Sequence, residues 1–256
     1  MGKVPVLSVE IANILALCAV ATLAAGLAGW IVVTLRRSPF TPVQSLLYAV
    51  NYLLARILWR AKIHGEFRIP PDQGAVLVCN HRCPLDPSFL QMALPRPIHW
   101  MVAKEYCEFP GFRQLLRVCE VIPVRRGAID PAAVRAAIRL VQRGGLVGMF
   151  PEGRINTSKQ LLLPGRSGAV LIALKARAPI VPCYVHGAPY DGTTLGCLLM
   201  PAAVRLEIGE PIDVSAYADR NDQRQAIEEL TRRVMREMAR LAGRPDFEPQ
   251  VGGRLG

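Results

Sequence analysis

Between Ile11 and Leu35 lie 25 residues without a single charged side chain. As a helix rising ~1.5 Å per residue, that run is about 37 Å long, against a hydrocarbon core about 30 Å thick. Arg36 and Arg37 follow at once, whereas Lys3 and Glu10 roughly cancel on the other side. By the positive-inside rule the N-terminus lies outside and the rest of the chain faces the cytoplasm. The expectation is an N-terminal membrane anchor over residues 1–40 in a chain of 256. A signal peptide would have a shorter apolar core ending in a small-residue cleavage site, and no Ala-x-Ala stands at the end of the run directly before Arg36. A buried soluble helix, or one that tilts or re-enters, has the same composition.

A second helix is expected over residues 41–62. Thr41, Pro42 and Gln44 form a capping-box start with proline at the first helical position. Val43, Leu46, Leu47, Val50, Leu53, Leu54, Ile57 and Leu58 then recur with helical spacing, and Arg56, Arg60 and Lys62 sit near the end. Such a helix either packs on the following domain or lies in the headgroup region with its basic end on anionic lipid. Its position after the apolar run favours the second reading.

From about residue 63 the pattern becomes one of short apolar runs alternating with helical stretches. Gly74–Cys79, Ile98–Val102, Val121–Val124, Leu146–Phe150 and Ile180–Val185 read as strands, with helices at about 86–94, 111–118, 131–143 and 167–177. Asp130 caps the third of these helices, Pro131 starts it and Gly144-Gly145 ends it. Val204–Ile208 reads as a late edge strand. A final helix over about 221–241 carries Ile227, Leu230, Val234, Met238 and Leu241 on one face. The alternation predicts an α/β fold: a mixed, largely parallel sheet flanked by helices, behind the membrane helix and the second, amphipathic helix. The main domain spans 63–242, and 243–256 reads as a flexible tail.

Composition narrows the function classes. Hydrophobic residues make up 51% and charged residues 20%, too apolar for a disordered chain. The net charge of +11 calls for an anionic partner, and +5 of it falls within residues 1–62, beside the anchor. Aromatics at 6% disfavour a base-stacking nucleic-acid platform. The seven cysteines (18, 79, 83, 107, 119, 183, 197) contain no CxxC, which disfavours a zinc ribbon and suits a reducing compartment.

Four stretches carry chemistry. Asn80-His81-Arg82-Cys83-Pro84-Leu85-Asp86 follows a predicted strand and precedes a predicted helix, where α/β folds place their sites. A turn at Pro84 brings Asp86 back to orient the His81 imidazole as a general base for a hydroxyl. As a bare pattern it is also a surface histidine with an aspartate helix cap. Phe150-Pro151-Glu152-Gly153-Arg154 closes another strand; its glycine permits close backbone approach and its arginine forks onto phosphate. Taken alone it is equally a turn with a solvated arginine. Val124-Arg125-Arg126 closes a third strand, either as ordinary surface charge or as a phosphate-neutralising arginine. Pro179 and Pro182 bracket a strand, either as structural residues or as part of a pocket wall.

In this order and at these separations, the four blocks resemble the glycerolipid acyltransferase family typified by 1-acylglycerol-3-phosphate acyltransferase, over roughly residues 60–210. The resemblance implies transfer of a fatty acyl group from acyl-CoA or acyl carrier protein to the hydroxyl of a lysophospholipid, most simply 1-acylglycerol-3-phosphate, at the membrane. It implies membrane lipids and the acyl donor as partners, no nucleic acid, no cofactor and no metal. By the same analogy His81 is the base and Asp86 its orienting partner. Arg125, Glu152 and Gly153 match the substrate-binding blocks, and Pro182 the fourth block. The commonest third block spaces its arginine one residue further on; here Arg154 follows Gly153 directly and Ile155 takes the usual arginine position, an order some relatives acting on other lysophospholipids share. Lys159 and Arg166 stand near enough to share the anion-binding role of Arg154. Two other chemistries remain on these residues: a Cys83–His81 nucleophile pair, and a metal set of His81, Asp86, Glu152 and His186. Thioester hydrolysis and a silent lipid-binding scaffold are the competing functions.

Overall fold

The computed structural model describes residues 9–126, 130–190, 192–193, 196–220 and 222–252. The chain divides into two units after Ser45. In the first, α1 (Val9–Arg37) is apolar around its circumference rather than along one stripe, and Ile14, Leu15, Leu17, Val20 and Leu23 are exposed. The side chains at 9, 10, 12, 24, 27, 28 and 30–37 fall outside the description. Among the described residues no helix is long and apolar enough to cross a membrane, so the expected membrane helix finds no support there. The capping box forms as expected: Gln44 N–H donates to Thr41 Oγ1 at 3.3 Å, and Thr41 N–H to Gln44 Oε1 at 2.9 Å.

This cap opens α2 (Pro42–Ile57), which runs on into the second unit. There its less apolar side faces inward. Tyr48 OH donates to Met92 O at 3.3 Å, Asn51 Nδ2 donates to Ser88 O at 2.9 Å, and Ala55 is buried. Both acceptors lie on α3 (Asp86–Ala93). Leu46, Val50, Leu53, Leu54 and Ile57 point outward.

The rest of the second unit is an α/β layer structure. The strands are β1 (Lys62–His64), β2 (Ala75–Cys79), β3 (Ile98–Ala103), β4 (Ile122–Val124), β5 (Leu146–Met149), β6 (Ile180–His186) and β7 (Arg205–Ile208). They pair in the order β1-β7-β6-β2-β5-β3-β4, every pair parallel except β6 with β7. Between them run α4 (Lys104–Glu108), α5 (Pro110–Val118), α6 (Pro131–Gln142) and α7 (Gly168–Ala176); α8 (Ser215–Ala218) and α9 (Gln223–Leu241) follow β7. The central strands are buried on both faces, which is why they read as unbroken apolar runs. Ala75, Leu77 and Cys79 of β2 join the core beneath Trp59, Phe89 and Leu90, while Val76 and Val78 join the core with Ile172, Leu230 and Met235 on α7 and α9. Asp130 caps α6 by accepting from the N–H groups of Ala132 and Ala133. Asp222 caps α9 through Gln225 N–H; the expected start at 221 lies outside the described residues.

Two expectations change. Val204–Ile208 does form a strand, but β1 pairs along its outer side, so β7 is internal to the sheet. The segment after Gly243 is docked as far as 252. Gly165 N–H donates to Gln250 O at 2.8 Å, Gly252 N–H donates to Gly165 O at 3.0 Å, and Phe247 packs on the core. Residues 253–256 of the expected tail lie outside the described set.

Candidate active site

Because β2 to β6 run parallel, the segments after them emerge at one edge of the sheet. The first runs from Asn80 to Leu85. Asn80 is fully buried and continues the pairing of β2 with β6 through its side chain: Val185 N–H donates to its Oδ1 at 2.7 Å, and its Nδ2 donates to Val185 O at 3.0 Å. The next residue, His81, is thereby fixed at both backbone groups. Its N–H donates to Glu152 Oε1 at 2.8 Å, and its carbonyl accepts from Asn156 N–H at 2.7 Å.

The chain then turns so that Asp86, the first residue of α3, comes back onto the imidazole. His81 Nδ1 lies 2.9 Å from Asp86 Oδ2. The same oxygen accepts from the N–H groups of Arg82 at 2.7 Å and Cys83 at 2.9 Å, and Asp86 has no exposed surface. A carboxylate can only accept, so Nδ1 carries the proton and Nε2 presents its lone pair. The imidazole lies flat on Phe150, with ring centroids 3.8 Å apart and planes 6° apart, and Phe150 in turn stacks on Trp100 at 4.7 Å. Gly148, the register partner of Trp100 on β5, makes room for this: a Cβ there would come within 2.7 Å of the Trp100 ring. The histidine is thus held by an acceptor at one nitrogen and an aromatic floor beneath its ring.

The second segment follows β5. Glu152, expected to contact substrate, is instead buried with both oxygens engaged: Oε1 by His81 N–H, and Oε2 by Leu163 N–H at 2.9 Å. Burial pushes its carboxyl above the ordinary range, and the two backbone donors pull the other way. It joins the two loops with both oxygens shielded from solvent. Gly153 has φ of +69°, and a Cβ there would meet the Arg166 guanidinium at about 3 Å. Arg154 is exposed with no hydrogen-bond partner among the described residues. Arg166 and Arg154 therefore flank Gly153 as two solvent-facing cations.

Arg125 emerges at the same edge, but from β4. Three strand spacings separate β4 from β2, roughly 14 Å across the sheet. Its N–H donates to Asp130 Oδ2 at 3.1 Å and its side chain is exposed, so it is not brought into contact with His81. Pro182 lies within β6 beside Val78, and its carbonyl accepts from Gly209 N–H at 2.8 Å. It is buried within the strand.

The competing chemistries lose their geometry. Cys83 is fully buried, and burial drives its thiol well above the ordinary range, which suppresses the nucleophilic thiolate. His186 faces Arg205, 3.3 Å away, and Leu241 O; burial, then Arg205, hold it below its usual value. Among the described residues no three His, Cys, Asp or Glu side chains converge as a metal set.

Arg82 is the residue that sequence reasoning passed over. Its guanidinium donates to the carbonyls of Asn156 at 2.9 Å, Ser158 at 2.8 Å, Gln160 and Leu161 at 3.2 Å, and so shapes the loop that carries the second block. Behind it, on the β6 side, opens a cavity of about 380 Å³ lined by Arg82, Asn156, Thr157, Tyr184 and Tyr190. Nothing in the sequence marks an arginine as a carbonyl clamp. The aromatic floor had one signal: Trp100 shares the inward side of β3 with Ile98 by strand alternation.

Residues 60–186 match the family described as Acyltransferase. The chain is 33% identical over 159 residues to the 1-acyl-sn-glycerol-3-phosphate acyltransferase of Bacillus subtilis, covering 61% of this chain and 76% of that one. It is 28% identical over 151 residues to the protein of the same name from Cocos nucifera, covering 57% and 48%. The crystal structure of the 1-acyl-sn-glycerophosphate acyltransferase PlsC from Thermotoga maritima superimposes with a TM-score of 0.57 at 21% identity, over 75% of this chain and 79% of that one, which establishes a shared fold.

Proposed function

This chain belongs to the acyltransferase family, and from that premise we propose that it moves a fatty acyl group from the thioester of acyl-CoA or acyl carrier protein to the free hydroxyl of 1-acylglycerol-3-phosphate, giving phosphatidic acid. The observation that carries the reading is the pairing of His81 Nδ1 with buried Asp86, which leaves Nε2 as the base. Nε2 takes the hydroxyl proton as the alkoxide attacks the thioester carbonyl. The tetrahedral intermediate collapses by expelling the thiolate, which receives the proton from the imidazolium. Asp86 stabilises the imidazolium and keeps the ring in its tautomer. A thiolate leaves readily, so the reaction needs no covalent acyl-enzyme and no cofactor beyond the donor. Arg154 and Arg166 hold the acceptor's phosphate, and Arg125 adds positive potential at the same edge.

The same proposal sets the chain at a membrane. The exposed apolar side chains of α1 and the outward face of α2, with Arg56 and Arg60 beside it, support embedding of residues 11–35 in lipid and of 41–62 in the headgroup region. The charge beside the anchor supports a cytoplasmic catalytic unit. Accessibility labelling of Lys3→Cys in intact cells tests the sidedness.

Purified chain, labelled acyl-CoA or acyl carrier protein, and a panel of lysophospholipids test the activity, with His81→Ala alongside. Acyl transfer that falls by about 10²–10⁴-fold in the variant supports it. Free fatty acid as the main product would assign the site to hydrolysis, and absence of turnover with both donors and every acceptor would overturn the enzymatic reading.

A further inference from the structure

α4 and α5 pose a physical problem that the catalytic reading leaves unsolved. Neither contains a buried residue, although α5 is strongly amphipathic. Phe109 is 56% exposed, Leu115 44% and Tyr106 41%, and Phe112 meets Phe109 with ring centroids 5.7 Å apart. A helix of nine residues is marginal in water by itself and draws its stability from burying its apolar face. Here Leu115 is exposed and Phe112, Leu116 and Val118 are only half-buried.

Its surroundings select the cover. Arg113 and Arg117 stand one turn apart on α5, exposed and without ion-pair partners among the described residues. Arg126 sits over the Tyr106 ring at 5.4 Å, with Arg125 beside it in sequence. Over residues 104–126 there are five basic side chains against Glu105, Glu108 and Glu120, of which Glu108 pairs with Lys104 and Glu120 faces His99. Aromatic rings at the surface with uncompensated cations around them suit the boundary between anionic headgroups and acyl chains. A second copy pairing symmetrically through this face would set Arg113 and Arg117 of each copy against those of the other.

The position is also informative. α4 leaves β3 at the edge where His81 leaves β2, two strand spacings or about 10 Å away. Trp100 of β3 supports the Phe150 ring on which His81 lies. We propose that the α4–α5 hairpin, Lys104–Val118, is a membrane-contact surface that seats Tyr106, Phe109, Phe112 and Leu115 in an anionic bilayer, so that a lipid acceptor leaves the leaflet beside the catalytic histidine.

Amide hydrogen exchange of the full chain in lipid nanodiscs tests this without reference to acyl transfer. Exchange across 104–118 is expected to slow in discs containing phosphatidylglycerol relative to phosphatidylcholine alone. Phe109→Ser/Leu115→Ser abolishes the slowing in the phosphatidylglycerol discs. Arg113→Glu/Arg117→Glu reduces the phosphatidylglycerol effect by about tenfold or more, the scale of two cations at an anionic surface. All four positions are solvent-facing, so unchanged protection in β2 and β6 certifies the fold of each variant. Equal exchange across 104–118 in the two discs would overturn the proposal. So would protection that instead tracks protein concentration, as for self-association, or that needs added acidic carrier protein.

Discussion

Glu152→Gln removes one acceptor and adds one donor at a buried point where the structure offers two donors. Glu152 serves His81 N–H with one oxygen at 2.8 Å and Leu163 N–H with the other at 2.9 Å. Glutamine has a single carbonyl oxygen, so whichever N–H faces its amide nitrogen loses its acceptor. A buried unsatisfied donor costs about 1–3 kcal/mol. Removing a carboxylate that burial disfavours offsets part of this, which leaves a net loss of up to about 2 kcal/mol, or up to about 8 °C in Tm. The pH dependence has a definite sign. The folded carboxyl is raised above its ordinary 4.5, so its contribution to stability is fully present below that value and is lost as pH rises through the higher folded value. The variant lacks this titration, so the stability gap narrows as pH rises through the same window. In kinetics, the loosened His81 lowers kcat while the acceptor KM stays near wild type. Thermal unfolding across pH and steady-state rates read both. A variant as stable as wild type with only a raised acceptor KM would refute the loop-joining role and restore substrate contact.

Asp86→Asn keeps an oxygen for the Arg82 and Cys83 N–H groups but gives up stabilisation of the imidazolium; kcat is expected to fall about 10²–10⁴-fold with the circular dichroism spectrum unchanged. Arg82→Lys replaces a planar fork that spans four carbonyls with one ammonium, so trypsin cleavage after Lys159 is expected to accelerate markedly in limited proteolysis. Arg154→Ala is expected to raise the KM of a phosphate-bearing lysolipid about tenfold or more while leaving that of a neutral monoacylglycerol near wild type, read from paired acceptor titrations.

Much of this was legible because the informative residues act locally. β2, β5 and β6 announce themselves as apolar runs because both faces are covered, and Asp130 and Thr41 cap helices within three residues of themselves. The His81–Asp86 pairing was legible for the same reason: five residues and a proline-bearing turn define it. What escaped depends on distant partners. Three residues of β1 carry no pattern, and without them β7 reads as an edge. Strand order, which separates Arg125 from His81, is not written in either segment. Glu152 and Arg82 are visible as charges, but the orphaned backbone groups they satisfy exist only once the loops have folded. The Gly243–Gly252 segment looks loose by composition and is pinned by a strand-like bridge to Gly165.

Asn80 has a consequence beyond its two hydrogen bonds. Its carboxamide imitates one more residue of main-chain pairing, so the imidazole beside it inherits its coordinates from the most deeply buried strands of the molecule. Donors and acceptors can then arrive and depart at the outer rim without the base having to be re-aimed at each turnover.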